Sequence, residues 1–180
     1  PVRLSVRTSG FHPGKRGSIP LRATKPSEIS EGFLFFVSLI KFLKISMKIL
    51  IVNGPNLNLL GTREPEIYGT ISMEQTLSQL AKEFTYHEIE YYQSNHEGKI
   101  IDKLQEDDFD ALIINPGAFT HYSYAIADCL KNIKKKKIEV HISNIYQREL
   151  FRQKSVTAAY TDSIISGFGI SGYRLAILSF

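Results

Sequence analysis

The sequence predicts an α/β domain of three layers, with helices on both faces of a five-stranded parallel sheet. Short aliphatic segments alternate with amphipathic segments from Met47 to Phe180. Continuous aliphatic runs are typical of parallel strands, which are buried on both faces. No internal repeat or linker interrupts the alternation, so we expect one domain over residues 47–180.

The strands are predicted where aliphatic runs end in turn residues: Lys48–Asn53, His87–Gln93, Ala111–Asn115, Ile138–Ile142 and Ser163–Ser166. Parallel strands end at a common edge, where ligands of such sheets bind. Three polar loops follow strands at that edge: Asn53-Gly-Pro-Asn56, Asn115-Pro-Gly-Ala118 and His141-Ile-Ser-Asn144. A site composed of several loops is therefore expected.

The helices are predicted from capping signals and apolar spacing. Ser72-Met-Glu-Gln75 matches a capping box, and apolar residues recur on one face up to Phe84. Ser94-Asn-His-Glu97 has the same pattern ahead of a second helix. Further helices are expected at Ser123–Ile133 and from Gly172, and the last of them is cut short at Phe180. The lysine run Lys134–Lys137 is expected to be a solvated helix end.

The charge is divided unevenly along the chain. The net charge is +4, but residues 1–46 carry eight basic and two acidic residues, while the remainder carries 14 basic and 16 acidic residues. Residues 47–180 are therefore slightly acidic, and we expect no nucleic-acid partner. Cys129 is the only cysteine, which excludes an intramolecular disulfide and a Cys-rich metal site.

Residues 1–46 are expected to be a disordered or non-native leading segment ahead of a true start at Met47. They mix Arg, Ser, Gly and Pro without periodicity, and their apolar run is too short to span a bilayer. An organelle-targeting peptide and an amphipathic membrane contact are the alternatives. We expect a cytoplasmic protein without a membrane partner.

Several side chains are candidates for chemistry. Arg63 and Tyr68 lie in a long loop after the first strand, where an arginine could stabilise a tyrosinate base; a surface arginine and a packing tyrosine are the alternative. Glu139 and His141 are two apart on a strand and share a face, so the carboxylate could orient the imidazole; a structural histidine is the alternative. His121 is a second histidine candidate, and no histidine spacing supports a metal site.

A pair of arginines, Arg148 and Arg152, is four residues apart in Arg148-Glu-Leu-Phe-Arg152. That spacing predicts either an exposed pair on one side of a helical turn or a clamp for an anion or for hydroxyl groups.

Five segments together resemble the type II 3-dehydroquinate dehydratases. They are Asn53-Gly-Pro-Asn-Leu-Asn-Leu-Leu-Gly-Thr-Arg-Glu-Pro-Glu-Ile-Tyr-Gly69, Gln93-Ser-Asn-His-Glu-Gly98, Ile114-Asn-Pro-Gly-Ala-Phe-Thr-His121, Ile138-Glu-Val-His-Ile-Ser-Asn144 and Arg148-Glu-Leu-Phe-Arg152. Their order and spacing extend through essentially all of residues 47–180.

The resemblance implies a flavodoxin-like sheet, a homo-oligomer of trimers that assemble into a dodecamer, and a reaction without metal, nucleotide or Schiff base. That reaction removes water from 3-dehydroquinate, a small molecule, by anti elimination through an enolate, and gives 3-dehydroshikimate in the shikimate pathway. The alternatives are a nucleotide- or phosphate-binding protein on the same fold and an inactive assembly protein. The absence of a Gly-rich phosphate loop disfavours the former, and the presence of both Tyr68 and His141 disfavours the latter.

The resemblance also implies a role for each site residue. Tyr68 corresponds to the base, Arg63 to its cationic partner, His141 to the acid and Glu139 to the carboxylate that orients it. Asn56 corresponds to the residue that holds a water against the enolate oxygen. The implied substrate-binding groups are Asn115, His121 and Arg152 for ring hydroxyls, the backbone amides of Ile142 and Ser143 for the carboxylate, and Asp128 for the site of a neighbouring subunit.

Overall fold

The computed structural model describes residues 46–61 and 71–180. Five parallel strands form one sheet in the order β2-β1-β3-β4-β5. The strands are β1 (Lys48–Asn53), β2 (Glu88–Gln93), β3 (Ala111–Asn115), β4 (Lys136–His141) and β5 (Ser163–Ser166). This is the order of flavodoxin-like sheets, whose ligands bind where the order reverses, beyond β1 and β3. The predicted fold class is confirmed.

Helices cover both faces of the sheet. They are α1 (Met73–Glu83), α2 (Glu97–Gln105), α3 (Tyr124–Asn132), α4 (Leu150–Gln153) and α5 (Ser171–Leu178). Alternate residues of each strand point to opposite faces. Ile49 and Ile51 therefore pack with residues of α1 and α5, while Leu50 and Val52 pack with residues of α2 and α3.

The capping box at Ser72 is confirmed, because its hydroxyl accepts from the amide of Gln75 and the Gln75 side chain accepts from the amide of Ser72. The second predicted box is wrong. The hydroxyl of Ser94 accepts from the amide of His96, two residues on, and α2 begins only at Glu97 without a side-chain cap. This short turn satisfies Ser94 locally, which is a common alternative to helix capping.

The prediction of a solvated helix end at Lys134–Lys137 is also wrong in part. Helix α3 ends at Asn132, and Lys136 and Lys137 already belong to β4. Lys137 is buried, and its Nζ donates to the carbonyls of Ile133 and Lys135, so the cation satisfies the carboxyl end of the preceding helix.

Two sequence predictions concern residues that the structure does not describe. The expectation for residues 1–46 falls almost wholly outside the described ranges and stays a prediction. Arg63 and Tyr68, in the long loop after β1, likewise lie outside them. Within residues 46–61 and 71–180, no helix has the length and hydropathy needed to cross a membrane.

Candidate active site at the carboxyl edge of the sheet

A cavity of about 250 Å³ opens beyond the carboxyl ends of β1, β3 and β4. Its walls are formed by the loop 55–60, the turn 115–121, the segment 141–143 and two arginines. Seven of the eleven predicted site residues line it: Asn56, Asn115, His121, His141, Ile142, Ser143 and Arg152. The loops that the sequence places at one edge therefore do converge on a single cavity.

Two glycine–proline turns form the floor of the cavity and contact each other. A Cβ on Gly54 would lie 2.1 Å from the carbonyl oxygen of Pro116, so no other residue fits there. Gly117 has a φ of +60°, and a Cβ on it would lie 3.2 Å from the carbonyl oxygen of Pro55. The amide of Gly54 also donates to the carbonyl of Asn115. Asn56 and Asn115 are thereby held at a fixed separation across the floor.

A neutral amide–phenol cluster, formed by Asn53, Asn115 and Tyr173, lies behind this floor. The hydroxyl of Tyr173 donates to Oδ1 of Asn53 at 2.7 Å and accepts from Nδ2 of Asn115 at 3.1 Å. All three residues are buried, and burial raises the pKa of Tyr173. Oδ1 of Asn115 accepts from the amide of Gly117. Since Nδ2 has two hydrogens, Asn115 keeps one N–H donor for a ligand.

The Glu139–His141 pair lies at the end of β4. Nε2 of His141 is 2.7 Å from Oε1 of Glu139, and both side chains are buried. The two residues are two apart on the strand, which places them on the same face. Because the carboxylate holds Nε2, Nδ1 is the nitrogen left for a ligand in the cavity. Glu139 itself does not line the cavity; its carboxylate contacts the imidazole on the side away from the cavity.

Hydroxyl groups surround the carboxylate of Glu139. Oε1 accepts from Thr120 at 2.8 Å and from Ser155 at 3.0 Å, and Oε2 accepts from Thr157 at 2.7 Å. Burial alone would raise the pKa of Glu139, but the hydrogen bond and charge of His141 and the threonine hydroxyls outweigh it. The pKa therefore lies below its ordinary value, and the carboxylate is ionised at neutral pH.

The segment from Arg148 to Lys154 forms the outer wall. Arg148 and Arg152 both line the cavity, but α4 begins only at Leu150, so the two do not share one helical turn as predicted. A guanidinium nitrogen of Arg148 donates to the hydroxyl of Ser143. Nδ1 of His121 lies 2.8 Å from the carbonyl oxygen of Lys154, which ties the segment to the turn after β3.

The remaining predicted residues do not line this cavity or are not described. Asp128 is exposed on α3. Arg63 and Tyr68 lie outside the described residues. In the part of the chain that the structure describes, no group of three or more His, Cys, Asp or Glu side chains is placed to hold a metal ion.

Sequence reasoning missed Thr120, Ser155, Thr157 and Tyr173, which support the site without lining it. Their partners lie 16 to 120 residues away in the chain. Arg148 was recognised only as part of a pair. The one available signal was Glu139, a carboxylate on a strand predicted to be buried. A buried carboxylate requires several hydrogen-bond donors nearby.

Comparisons with known proteins agree with this geometry. The family model described as dehydroquinase class II matches residues 47–180. A 3-dehydroquinate dehydratase of Thermotoga maritima is 56% identical over 133 residues, which are 73% of this chain and 92% of the relative. One of Caldicellulosiruptor bescii is 56% identical over 136 residues, or 72% of this chain and 93% of the relative.

Solved structures give the same result. The type II dehydroquinase of Butyrivibrio crossotus is 51% identical, with a TM-score of 0.72 over 74% of this chain and 97% of that one. The enzyme of Propionibacterium acnes is 40% identical, with a TM-score of 0.71 over 75% and 96%. These matches favour the enzyme over the phosphate-binding and assembly alternatives. The chain therefore belongs to the dehydroquinase class II family and is an enzyme.

Proposed function

We propose that the chain removes water from 3-dehydroquinate to give 3-dehydroshikimate, in the shikimate pathway, by anti elimination through an enolate. One observation carries the proposal. The cavity contains an imidazole whose Nε2 is held by a buried, ionised carboxylate, which leaves Nδ1 for a substrate hydroxyl. Such an arrangement suits a general acid, because the carboxylate stabilises the imidazolium that donates the proton.

The reaction needs a base and an acid on opposite sides of the ring. In the proposal the phenolate of Tyr68 takes the proton beside the ketone, and Arg63 stabilises the phenolate. The electron pair moves to the ketone oxygen as an enolate, and Asn56 holds a water that donates to that oxygen. The enolate then expels the β-hydroxyl, which leaves as water after His141 protonates it.

Substrate binding uses the rest of the cavity. The N–H donor that Asn115 retains suits a ring hydroxyl, and His121 and Arg152 line the same cavity. We assign the substrate carboxylate to the backbone amides of Ile142 and Ser143. Arg148 donates to the hydroxyl of Ser143, so a cation lies beside that subsite and favours an anion there.

The proposed chemistry needs no metal, nucleotide or Schiff base. An α-proton beside a ketone and a β-hydroxyl can both be moved by side chains that act as acid and base. Activity should therefore persist after dialysis against a chelator and after borohydride treatment in the presence of substrate. Loss of activity in the chelator, or a covalent adduct on a lysine, would contradict this part.

We also propose trimers that assemble into a dodecamer, with Asp128 contributing to the site of a neighbouring subunit. In support, Asp128 is exposed and lies away from the cavity of its own chain. Exposed aromatic residues, Tyr122 and Tyr124, flank the start of α3. Light scattering that finds a fully active monomer would disprove the assembly.

The decisive experiment is to incubate the protein with 3-dehydroquinate and follow the ultraviolet absorbance of the enone product. His141→Ala should lower kcat by roughly 10²–10⁴, which is the usual contribution of one positioned acid. His96→Ala is the matched control, because His96 is exposed and does not line the cavity. If the wild-type protein produces no enone, or if His141→Ala keeps its turnover, the proposal is wrong.

A further inference from the structure

The carboxylate of Glu139 is surrounded by a hydroxyl cage, which consists of Thr120, Ser155 and Thr157. Each hydroxyl reaches a carboxylate oxygen within 3.0 Å, and all three are within 3.3 Å of one another. Thr120 and Thr157 are fully buried, as is Glu139. A buried carboxylate normally pairs with Arg or Lys, so a cage of neutral donors requires an explanation.

A neutral cage has a specific chemical consequence. Hydroxyl donors stabilise the ionised carboxylate without supplying a positive charge that would neutralise it. Among the residues that the structure describes, His141 is then the ionisable partner of Glu139. The negative charge of Glu139 therefore acts on the imidazole of His141. A lysine or arginine in the place of one hydroxyl would neutralise that charge.

The cage also fixes the direction of the carboxylate. Oε1 receives Thr120, Ser155 and His141, whereas Oε2 receives only Thr157 within the described part of the chain. Without the Thr157 hydroxyl, Oε2 would lose that donor, and the carboxylate could rotate away from Nε2 of His141. The imidazole of His141 would then lose the hydrogen bond that fixes its orientation.

The three hydroxyls come from two different segments. Thr120 lies in the turn after β3, and Ser155 and Thr157 follow α4, where the amide of Val156 donates to the carbonyl of Thr120. The amide of Ala158 donates to the hydroxyl of Ser155 and so directs the Ser155 proton toward its other neighbours. The cage therefore depends on the segment that also carries Arg152.

We propose that Thr120, Ser155 and Thr157 are positioning residues for the reaction. They hold the Glu139 carboxylate so that the Nε2–H of His141 stays hydrogen-bonded to it and the imidazolium directs its Nδ1–H at the leaving hydroxyl of the substrate. The inference rests on the acid role of His141 in the proposed function. It extends the site to residues that touch neither the cavity nor the substrate.

The test compares Thr157→Val, which removes the hydroxyl and keeps the shape, with Thr157→Ser, which keeps the hydroxyl. Thr157→Val should lower kcat about ten- to a hundredfold, with KM nearly unchanged. This is the factor that corresponds to the free energy of one hydrogen bond to a charged group. Thr157→Ser should restore most of the turnover. Thr76→Val is the control, because Thr76 is also buried but its hydroxyl donates to the backbone carbonyl of Ser72.

A second measurement does not depend on turnover. The chain has five histidines, so ¹⁵N-histidine spectra are simple, and His141→Ala identifies the His141 signals. In the wild type these signals should indicate a proton on Nε2, and in Thr157→Val they should shift toward a mixture of ring forms. Thr157→Ser should keep the wild-type signals.

Several outcomes would overturn the inference. Unchanged kcat and unchanged His141 signals in Thr157→Val would do so, as would a Thr157→Ser protein no better than the valine variant. If Thr157→Val does not fold, Ser155→Ala removes a less buried hydroxyl of the same cage and takes its place in both measurements. An inactive wild type would contradict the proposed function instead, while the spectra would still test the cage.

Discussion

Two buried polar clusters support the cavity, and they differ in charge. The neutral amide–phenol cluster of Asn53, Asn115 and Tyr173 lies at the ends of β1 and β3. The charged cluster, Glu139 and His141 with the hydroxyl cage, lies at the end of β4. Both are largely buried, and in the described residues no buried side-chain polar atom lacks a hydrogen-bond partner.

The difference in charge gives the two clusters different roles, because the neutral cluster orients a hydrogen-bond donor and the charged cluster supports proton transfer. Amides and a phenol fix the direction of a hydrogen-bond donor, and they keep the same form over a wide pH range. They provide no proton near neutral pH. The charged cluster can support proton transfer, but its burial makes it costly to disrupt, because an ion without partners is far less stable inside a protein than an unpaired amide.

The largest expected effect comes from removing the charge. Glu139→Gln replaces one anionic oxygen by an amide NH₂, so the three hydroxyls and His141 keep a single neutral acceptor where they had two charged ones. We expect kcat to fall about 10²-fold or more and the free energy of unfolding to fall by about 3 kcal/mol or more. Steady-state kinetics and urea unfolding measure both.

Glu88→Gln is the matched control, since Glu88 is exposed on the edge strand β2. If Glu139→Gln retains both its turnover and its stability, the charge of the cluster has no role in the site, and the contrast with the neutral cluster fails.

The neutral cluster should give a smaller effect of another kind. Tyr173→Phe removes a hydroxyl that joins Asn53 to Asn115, which should lower the free energy of unfolding by about 1–3 kcal/mol. Asn115 then binds the substrate in a less fixed orientation, so KM should rise severalfold while kcat changes little.

Tyr160→Phe serves as the control, because Tyr160 is exposed. A loss of kcat as large as that of Glu139→Gln, with KM unchanged, would show that the neutral cluster takes part in proton transfer.

The clusters should also respond to pH in opposite directions. The pKa of Glu139 is lowered on folding. Its ionisation therefore adds to the free energy of unfolding above the ordinary pKa of 4.5, and this contribution is lost as the pH falls through the pKa of the folded state. The pKa of Tyr173 is raised on folding, so its contribution is present below the ordinary value of 10.0 and is lost as the pH rises above it.

Urea unfolding across this range measures the two contributions as differences from the wild type. The stability difference between wild type and Glu139→Gln should shrink only in acid, and the difference for Tyr173→Phe should shrink only in alkali. Two differences with the same pH dependence would contradict the assignment of charge to one cluster.

The sequence predicts the sheet well because strands and turns depend on local patterns. The aliphatic runs of β1 and β3 end at Asn53 and Asn115, and the loops after them contain the paired glycine–proline turns. Two of the mistaken predictions, at Ser94 and at Lys137, concern a serine and a lysine whose hydrogen bonds could be satisfied in more than one way.

The support of the site is not predictable in this way. Tyr173 meets Asn53 across 120 residues of chain, and Thr157 reaches Glu139 only because the segment after α4 packs on the turn after β3. No local pattern distinguishes those hydroxyls from exposed ones. Their role depends on which carboxylate the fold buries beside them.

The smallest expected effect tests whether charge or burial makes the Glu139 cluster costly to break. Glu90 on β2 also has two ionic partners, since its carboxylate lies 2.6 Å from Nζ of Lys103 and 3.3 Å from Nζ of Lys48, but it is about one-third exposed. Solvent weakens such pairs, so Glu90→Gln should change the free energy of unfolding by less than about 1 kcal/mol.

Salt distinguishes the two carboxylates further. At 1 M NaCl the screening length falls to about 3 Å, so the small effect of Glu90→Gln should vanish. The effect of Glu139→Gln should persist in the same salt series, because ions do not reach a carboxylate that is 0% exposed. If both variants lose the same stability, or if salt abolishes both losses, then burial is not what separates the charged cluster from an ordinary surface ion pair.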